Sequence, residues 1–206
     1  MIKLEKTQVM NFEGAVRGAR NPMNSWDKMD SSYKDGVFVM GKNDLELAKR
    51  LCKAGSDHRK FIRQIIVSVD ITAPLYWWKE FDTYKVATVA NSTSTMHKIH
   101  SKPFEESDFS CDRLSAAGKA ELCRIMEFLE ECRLRYTKTK DKNDWYDIIQ
   151  LLPESYNQTR TVTMNYENLL NMYFARKDHK LFEWHKFCDW ILTLPYTKEL
   201  FLQDKN

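Results

Sequence analysis

A run of short polar side chains is the stretch of this sequence best suited to holding an anion. Residues Asn91–Thr95 read Asn-Ser-Thr-Ser-Thr and follow a segment rich in aromatic residues. Hydroxyl groups and backbone N–H groups at a turn of the chain are good ligands for a phosphate group. The tract therefore indicates either contact with a phosphate or nucleotide, or simply a polar turn, and both interpretations stay open at this point.

Common nucleotide, hydrolase and metal motifs are absent from the sequence. It contains no Gly-x-Gly-x-x-Gly loop, no Gly-x-x-x-x-Gly-Lys-Ser/Thr loop and no Gly-x-Ser-x-Gly elbow. Two pairs of histidines, His97 with His100 and His179 with His185, lack acids or cysteines at the spacing of a metal site. We therefore expect no metal, and we interpret these histidines as surface or half-buried structural residues.

The cysteines and the net charge favour a reduced, cytoplasmic protein without a nucleic-acid partner. The five cysteines are odd in number and contain no Cys-x-x-Cys pair, which argues against a disulfide framework and a structural zinc site. With 32 Lys and Arg against 29 Asp and Glu, the net charge is only +3. Because acidic residues interrupt the basic runs, no nucleic-acid-binding face is predicted. Reduced thiols are expected in the cytoplasm.

Length and composition predict a single domain spanning residues 1–206. The 11 Phe, 9 Tyr and 6 Trp, against only 6 Gly and 5 Pro, exclude disorder as the main state. Residues 1–14 lack the apolar core of a signal peptide. No stretch approaches the ~18 apolar residues of a membrane span, so no membrane partner is expected.

The elements that would position these residues are a mixture of strands and helices. Ile65, Val67, Val69 and Ile71 recur at every second position, which is typical of a half-buried strand. The predicted strands are Ile2–Val9, Phe61–Ile71 and Gln158–Met164. The predicted helices are Phe12–Arg20, Asn43–Ala54, one opened by Pro74, Cys111–Tyr136, Trp145–Leu152, Asn165–Arg176, Lys180–Leu194 and a last one from Pro195. This order predicts an α/β fold of the irregular α+β kind.

Two separated segments of the chain resemble the flavin-dependent thymidylate synthases. The first, residues 58–96, contains Asp-Ile-Thr-Ala-Pro-Leu-Tyr-Trp-Trp-Lys-Glu-Phe-Asp-Thr-Tyr-Lys at positions 70–85, similar to the strand, Ala-Pro and helix that lead into the family's Arg-His-Arg signature. The second, residues 151–183, resembles the family's C-terminal strand and helix. Its matching residues are Leu151, Leu152, Pro153, Thr159, Arg160, Thr163, Met164, Asn165, Leu169, Asn171 and Arg176.

This resemblance implies a twisted sheet flanked by helices and an assembly of four identical subunits. It further implies that FAD and deoxyuridylate (dUMP) bind at the subunit boundaries. An active member would use methylene-tetrahydrofolate and NADPH to methylate dUMP to dTMP, without a cysteine nucleophile. The many aromatic residues, more than one small core needs, point to the same assembly.

Residue by residue, the resemblance implies four flavin contacts and three substrate contacts. The flavin positions are His58, Lys85, Asn165 and Asn171. The substrate positions are Thr93, Ser94 and Arg176. Three of them have a plainer alternative: His58 as an exposed loop residue, Asn165 as a helix N-cap, and Arg176 as a cation facing the end of a helix dipole. Asn165 and Arg176 are separated by eleven positions, which places them within about 20° on one helical face. No catalytic residue is identified.

Several arginines of the family are replaced in this sequence. Thr83-Tyr84-Lys85 stands where the family has Arg-His-Arg. The other replaced positions are Thr95, Glu167 and, where the family has a Glu and an Arg before the Pro, Tyr146 and Ile149. Each lost arginine removes a rigid two-pronged ligand for a phosphate or carbonyl group. Lys79, Lys85, Arg59 and Lys60 are the cations that could compensate.

Three functions remain compatible with these residues. The chain is a divergent thymidylate synthase or a relative that acts on another nucleotide, a flavin- and nucleotide-binding protein without the methylation chemistry, or a tetrameric interaction protein. The retained His58, Asn165, Asn171 and Arg176 favour the first two. The altered segment from Thr83 to Thr95 favours the second over ordinary synthase activity.

Overall fold

A computed structural model describes residues 2–203 of the chain. Its strands are β1 (Lys3–Met10), β2 (Ser32–Lys34), β3 (Val37–Val39), β4 (Ile66–Pro74), β5 (Val89–Ser92) and β6 (Asn157–Asn165). Its helices are α1 (Phe12–Arg20), α2 (Lys42–Lys53), α3 (Leu75–Phe81), α4 (Ala116–Thr139), α5 (Lys142–Leu151), α6 (Tyr166–Arg176), α7 (Phe182–Ile191) and α8 (Thr197–Phe201). Short 3-10 helices lie at Asn21–Met23, Trp26–Lys28, Lys60–Gln64 and Glu106–Asp108.

The main sheet is open, and its strands hydrogen-bond in the order β1-β4-β6-β5. Strands β2 and β3 form a separate antiparallel hairpin. Helix and strand account for 50% and 19% of the structure, and the predicted α/β fold, a twisted sheet with flanking helices, is confirmed. None of the helices within residues 2–203 is both long enough and apolar enough to cross a membrane.

Strand β4 keeps the predicted alternation but begins later than predicted. Val67, Val69 and Ile71 are buried, and the residues between them are half-buried. The prediction that the strand begins at Phe61 is wrong, because Lys60–Gln64 form a 3-10 helix. Phe61 and Ile62 are buried side by side, a pattern that a strand with one buried face does not produce.

Helix ends deviate from prediction where polar side chains cap them. Helix α4 begins at Ala116 and not at Cys111, because Ser115 Oγ accepts the backbone N–H of Gly118 at 3.2 Å. Helix α5 begins at Lys142 and not at Trp145, because Asp141 accepts the N–H of Asn143 at 2.9 Å. Local capping bonds, which hydrophobic periodicity does not report, therefore decide both boundaries.

The described chain divides into two compact units. The α4–α5 unit comprises residues 2–3, Asp70–Thr83 and Ala90–Thr161. The α6 unit comprises Leu4–Val69, Tyr84–Val89 and residues 162–203. Strands β4 and β6 each contribute residues to both units. That residues 1–206 form a single domain stays a prediction.

Aromatic side chains build the core of the α4–α5 unit at helix α3. The rings of Trp77, Trp78 and Phe81 lie 4.9 to 5.3 Å apart and are fully buried. Trp78 Nε1 donates to the carbonyl oxygen of Gln158 at 2.9 Å. These aromatic residues are used inside their own unit, so they are no longer an argument for assembly of subunits.

A second aromatic cluster anchors the start of helix α6 in the other unit. Phe12 meets Tyr166 and Tyr196 edge to face, each at a centroid distance of 5.6 Å. The Tyr166 hydroxyl donates to the carbonyl oxygen of Pro195 at 2.8 Å, and its backbone N–H donates to Ile65 at 3.0 Å. Burial raises the pKa of Tyr166 well above its ordinary value, so the phenol stays neutral. Helix α6 therefore begins at a rigid position.

Candidate functional site

A cavity of about 770 Å³ lies along helix α6. Its size is within the ~300–1,000 Å³ of small-molecule sites. The lining comes from the end of α2 and the segment after it, from α6 and from the region of α8: Cys52, Lys53, Gly55, Arg59, Leu170, Asn171, Phe174, Leu200, Phe201, Leu202 and Gln203. Gly55 has φ +102°, a conformation that favours glycine and lets the chain turn from α2 towards Arg59. The cavity combines apolar walls with two cations and two amides.

Asn171 lies on this cavity and His58 lies beside it in the chain. Asn171 is exposed and belongs to the lining. His58 is exposed, and its backbone N–H donates to the Gly55 carbonyl at 3.1 Å. Its ring is not part of the lining. Among the predicted flavin residues, Asn171 is therefore the one that the structure places on the cavity wall.

The thiol of Cys52 on the cavity wall is unsuited to nucleophilic attack. The pKa of Cys52 is raised to about 12, chiefly by burial; within that value the charge of Arg59 lowers the pKa and the charge of Glu167 raises it. Burial also raises the pKa of Cys188 to about 12. A nucleophilic cysteine needs the thiolate form near neutral pH. The Cys52 thiol is therefore protonated near neutral pH.

Asn165 is the N-cap of helix α6. Its side-chain oxygen accepts the N–H of Asn168 at 3.0 Å, and the Asn168 side-chain oxygen accepts the N–H of Asn165 at 3.1 Å. This reciprocal pair satisfies two donors at the start of the helix. The capping alternative from the sequence is therefore confirmed, whereas a flavin contact of Asn165 stays a prediction.

Arg176, at the other end of α6, is held by aromatic residues. Its Nε donates to the Tyr84 hydroxyl at 2.8 Å. Its guanidinium carbon lies 4.8 Å from the ring centroid of Trp184 and 5.5 Å from that of Tyr84. Cation–π contacts with two rings orient the guanidinium group. Tyr84 stands at the central position of the altered Arg-His-Arg signature, so this contact links both resembling segments, and the sequence offered no signal for it.

The segment that carries Lys85 also contacts helix α6. Asn168 Nδ2 donates to the Val86 carbonyl at 2.8 Å. Ala87 has φ +55°, an uncommon value for a residue with a side chain. Lys85 itself is exposed. The backbone around Lys85 is thus fixed, and its side chain is open to a ligand.

Glu167 forms ion pairs with two nearby cations. It accepts a hydrogen bond from Arg59 Nε at 3.2 Å and another from Arg63 Nε. Burial raises the pKa of the Glu167 carboxyl, but the hydrogen bonds and charges of Arg63 and Arg59 outweigh it and hold that pKa below its ordinary value. Arg59, expected from the sequence as a compensating cation, is already paired. Lys79, another such cation, pairs with Glu154 at 2.5 Å.

Thr93 and Ser94 lie in the α4–α5 unit, at the end of β5. Thr93 exchanges hydrogen bonds with Thr159: its N–H donates to the Thr159 carbonyl at 2.9 Å, and its hydroxyl accepts the Thr159 N–H at 3.3 Å. Ser94 Oγ accepts the N–H groups of Met96 and His97 at 3.2 and 2.8 Å. Both residues are exposed, and the tract that contains them is part strand and part turn.

Residues 36–42 read Gly-Val-Phe-Val-Met-Gly-Lys, a phosphate-loop spacing without the Ser or Thr that should follow, and the helix start after them is already occupied. Asp30 accepts the N–H groups of Asn43 and Asp44 at 2.8 and 3.0 Å, at the start of α2. A Cβ at Gly41 would meet Asp30 at 2.3 Å. The carboxylate therefore occupies the place where a phosphate would have to lie.

No family model matches the sequence, and no curated protein matches it. Among solved structures, flavin-dependent thymidylate synthase ThyX from Helicobacter pylori complexed with FAD and dUMP is 18% identical, with a TM-score of 0.69 and 97% of each chain covered. A further structure of ThyX from Helicobacter pylori with FAD and dUMP is 18% identical, with a TM-score of 0.71 over 98% of this chain and 97% of the other.

The UMP/dUMP methylase PolB from Streptomyces cacaoi, bound with 5-Br dUMP, is 16% identical, with a TM-score of 0.64 over 98% of this chain and 95% of the other. These likenesses extend over nearly the whole chain and confirm, at the level of the fold, the resemblance seen in two segments of the sequence. The chain has the fold of the flavin-dependent thymidylate synthases.

Proposed function

We propose that this protein binds FAD and a deoxyuridylate-like nucleotide, and that its methylation of dUMP is weak or absent. The observation that carries the proposal is the 770 Å³ cavity with Asn171 on its wall, in a chain that has the fold of proteins crystallised with FAD and dUMP. A cytoplasmic location belongs to the same proposal.

The cavity has the chemistry that a flavin needs. Leu170, Phe174 and Leu200 offer apolar surface to a planar ring system, and Asn171 offers an amide that can pair with polar ring atoms. Lys53 can neutralise part of a diphosphate. His58, Lys85 and Asn165 would complete the contacts. Bound flavin in its reduced form supplies hydride chemistry; the residues named here bind and orient it.

Arg176 would hold the nucleotide in the α6 unit, and the part of Thr93 and Ser94 in nucleotide binding is proposed from the resemblance alone. The guanidinium of Arg176 is held in one orientation, which lowers the entropy lost when it grips an anion. Lys85 adds a point charge but cannot reproduce a planar two-pronged grip. With Arg59 bound to Glu167, fewer cations remain than the sequence suggests, so the pyrimidine would be positioned poorly. A misplacement of about 1 Å can reduce the rate ~100-fold.

A homotetramer is part of the proposal, because residues on different faces of one helix cannot all contact the same ligand. Asn171 and Arg176 are five positions apart on α6, about 140° around the helix axis. If the binding sites lie between subunits, Asn171 and Arg176 could each contact a ligand at the boundary with a different neighbouring subunit. Light scattering that gives a stable 24.5 kDa species at micromolar concentration would contradict the assembly.

Flavin titration is the first test. The visible spectrum of the purified protein, followed by titration with FAD, should show binding. The Asn171→Leu variant should bind FAD about 5- to 100-fold more weakly, because a polar atom of the ligand loses its partner. Lys3→Gln, far from the cavity in sequence and on strand β1, serves as the matched control. Equal affinity in parent and Asn171→Leu would refute the site, and a protein that never binds flavin would favour the interaction-protein alternative.

Tritium release tests the chemistry separately. The assay uses 5-labelled dUMP, FAD, methylene-tetrahydrofolate and NADPH, and a parallel reaction uses labelled UMP, since a neighbour in the fold is a UMP/dUMP methylase. We expect release at least ~100-fold below that of an ordinary flavin-dependent thymidylate synthase. Turnover at the ordinary rate would refute the proposed weakness and show that Lys85 and Thr93 rebuild the site.

A further inference from the structure

The side chain of Gln158 joins two parts of a polar network in the α4–α5 unit. It lies on strand β6 and is only 8% exposed. Its Nε2 donates to the backbone carbonyl of Thr93 at 2.7 Å, and its Oε1 accepts from Arg160 Nε at 3.0 Å. A carbonyl oxygen can only accept and a guanidinium group can only donate, so one orientation of the Gln158 amide satisfies both partners.

Arg160 extends this network to Asp82. Its Nη1 donates to a carboxylate oxygen of Asp82 at 2.7 Å, and its guanidinium carbon lies 4.2 Å from a ring centroid of Trp78. The buried Trp78 in turn donates from Nε1 to the backbone carbonyl of Gln158 at 2.9 Å. The side chains of Asp82, Arg160 and Gln158 therefore form one chain of hydrogen bonds, the Gln158 network, which ends on the backbone of Thr93.

The Gln158 network contacts the chain at both ends of the altered segment. Asp82 directly precedes Thr83, where that segment begins, and Thr93 lies near its end. Strand β5, which leads into the polar tract, is four residues long and all four are exposed. Apolar burial therefore contributes little to holding this tract, and hydrogen bonds such as that from Gln158 have to hold it.

The hydroxyl groups of this tract use their oxygen atoms as acceptors towards the backbone. Thr93 Oγ1 accepts the N–H of Thr159, and Ser94 Oγ accepts the N–H groups of Met96 and His97. Each hydroxyl then has its hydrogen to donate. Where the two hydrogens point depends on the backbone that carries them, and Gln158 holds that backbone at Thr93.

We propose that Gln158 is a positioning residue for nucleotide binding. It fixes the backbone of Thr93, and through it the hydroxyl groups of Thr93 and Ser94, without touching the nucleotide itself. This inference rests on the proposed function, in which these two hydroxyl groups contact the nucleotide. Gln158 is not among the residues that carry the resemblance to the flavin-dependent thymidylate synthases, and 65 positions separate it from Thr93.

Hydrogen exchange of backbone amides tests the hold on the tract and needs no nucleotide. Gln158→Glu keeps the shape of the side chain and the bond from Arg160, but it places an acceptor against the Thr93 carbonyl. The Thr93 amide should then exchange about 2- to 10-fold faster. Thr161→Val is the matched control on β6: it removes the bond from Thr161 Oγ1 to Asp70 at 2.6 Å and should leave exchange at Thr93 unchanged.

Titration with dUMP in saturating FAD tests the role in binding. Gln158→Glu and Gln158→Met should each bind dUMP about 2- to 10-fold more weakly than the parent, and both should bind FAD as the parent does. Thr93→Val provides a double-mutant cycle. If Gln158 acts through Thr93, the losses from Gln158→Met and Thr93→Val should be less than additive.

Circular dichroism and thermal melting show whether each variant is folded; if Gln158→Glu is not, Gln158→Met carries both tests. Unchanged exchange at Thr93 in a folded Gln158 variant would overturn the inference, as would additive losses or an equal loss of dUMP affinity in Thr161→Val. A parent that binds dUMP no better than Gln158→Glu does would overturn the inference alone. A parent that binds no dUMP at millimolar concentration would refute the proposed nucleotide binding and, with it, this role of Gln158.

Discussion

The two ends of helix α6 differ in the kind of partner that their charged side chains have. At its start, Glu167 stands at a position where the flavin-dependent thymidylate synthases that the sequence resembles have an arginine. Arg59 and Arg63 both form ion pairs with Glu167. At its end, the matched Arg176 is retained, and aromatic rings hold it. The start of the helix carries a cluster of ion pairs around one carboxylate, and the end carries a guanidinium group that contacts two aromatic rings.

This difference shows that exchanging one charged residue also changes the partners of the charged residues around it. Replacing an arginine by Glu167 removes one positive charge and also engages Arg59, which the sequence offered as a substitute. By contrast, Tyr84 replaces a histidine and orients the remaining arginine. The start of the helix is thus built around an ion-pair cluster, and the end holds the arginine that we propose for the nucleotide.

Restoring the family's arginine at position 167 is the change with the largest expected effect. Glu167→Arg would bring a third guanidinium group beside Arg59 and Arg63 in a site where Glu167 has only 12% of its side chain exposed. Like charges with little solvent should reduce the free energy of unfolding by about 3 kcal/mol. Urea unfolding followed by circular dichroism measures it.

Two further variants sharpen this test. Glu167→Gln removes the negative charge without adding a positive one and should cost about half as much. The double variant Glu167→Arg with Arg63→Glu restores one opposite pair and should recover part of the stability. If Glu167→Arg were as stable as the parent, the cluster would be dispensable and the contrast between the two helix ends would fail.

Much of the fold could be predicted from periodicity, because burial imposes it directly. Helix α1 was predicted with its observed bounds, and the alternation in β4 was confirmed. Strand β5, Val89–Ser92, was missed because its four residues are all exposed and give no periodic signal. Its strand state depends on pairing in the sheet, which is a tertiary interaction.

The sequence could predict the role of a site residue only where the residue type is compatible with a single structural role. Asn165 gave two alternatives, and the structure shows the cap. The pairing of Arg59 with Glu167 spans 108 positions, and that of Arg176 with Tyr84 spans 92, so no local pattern contains them. Each partner is an ordinary surface residue type until the fold brings the two together.

Acid titration provides a second, smaller test of the cluster around Glu167. The pKa of this carboxyl is below its usual value near 4.5 in the folded protein, so the unfolded chain takes up the proton more readily. The stabilisation is therefore fully present above about pH 4.5 and is lost as the pH falls through the folded pKa. The difference in unfolding free energy between parent and Glu167→Gln should be largest above about pH 4.5 and should shrink as the pH is lowered below it.

Glu130 is the matched control for this titration. The hydrogen bond from Arg133 lowers the pKa of Glu130 against the effect of burial. Glu130→Gln should thus remove a separate part of the acid dependence and leave the part due to Glu167 in place. A constant difference between parent and Glu167→Gln across the pH range would contradict the proposed ion pairs.

The smallest expected effect is at the other end of the helix, where Tyr84 holds Arg176. Tyr84→Phe keeps the ring but removes the hydroxyl that accepts from Arg176 Nε, so the free energy of unfolding should fall by about 1 kcal/mol. A double-mutant cycle with Arg176→Gln separates this bond from other losses: the coupling should be about 1 kcal/mol if the two side chains act together. Additive effects would mean that Tyr84 does not orient the arginine. The same variant should weaken dUMP binding severalfold while FAD binding at the Asn171 cavity is unchanged, because a guanidinium that has lost one orienting hydrogen bond loses more entropy on binding a phosphate.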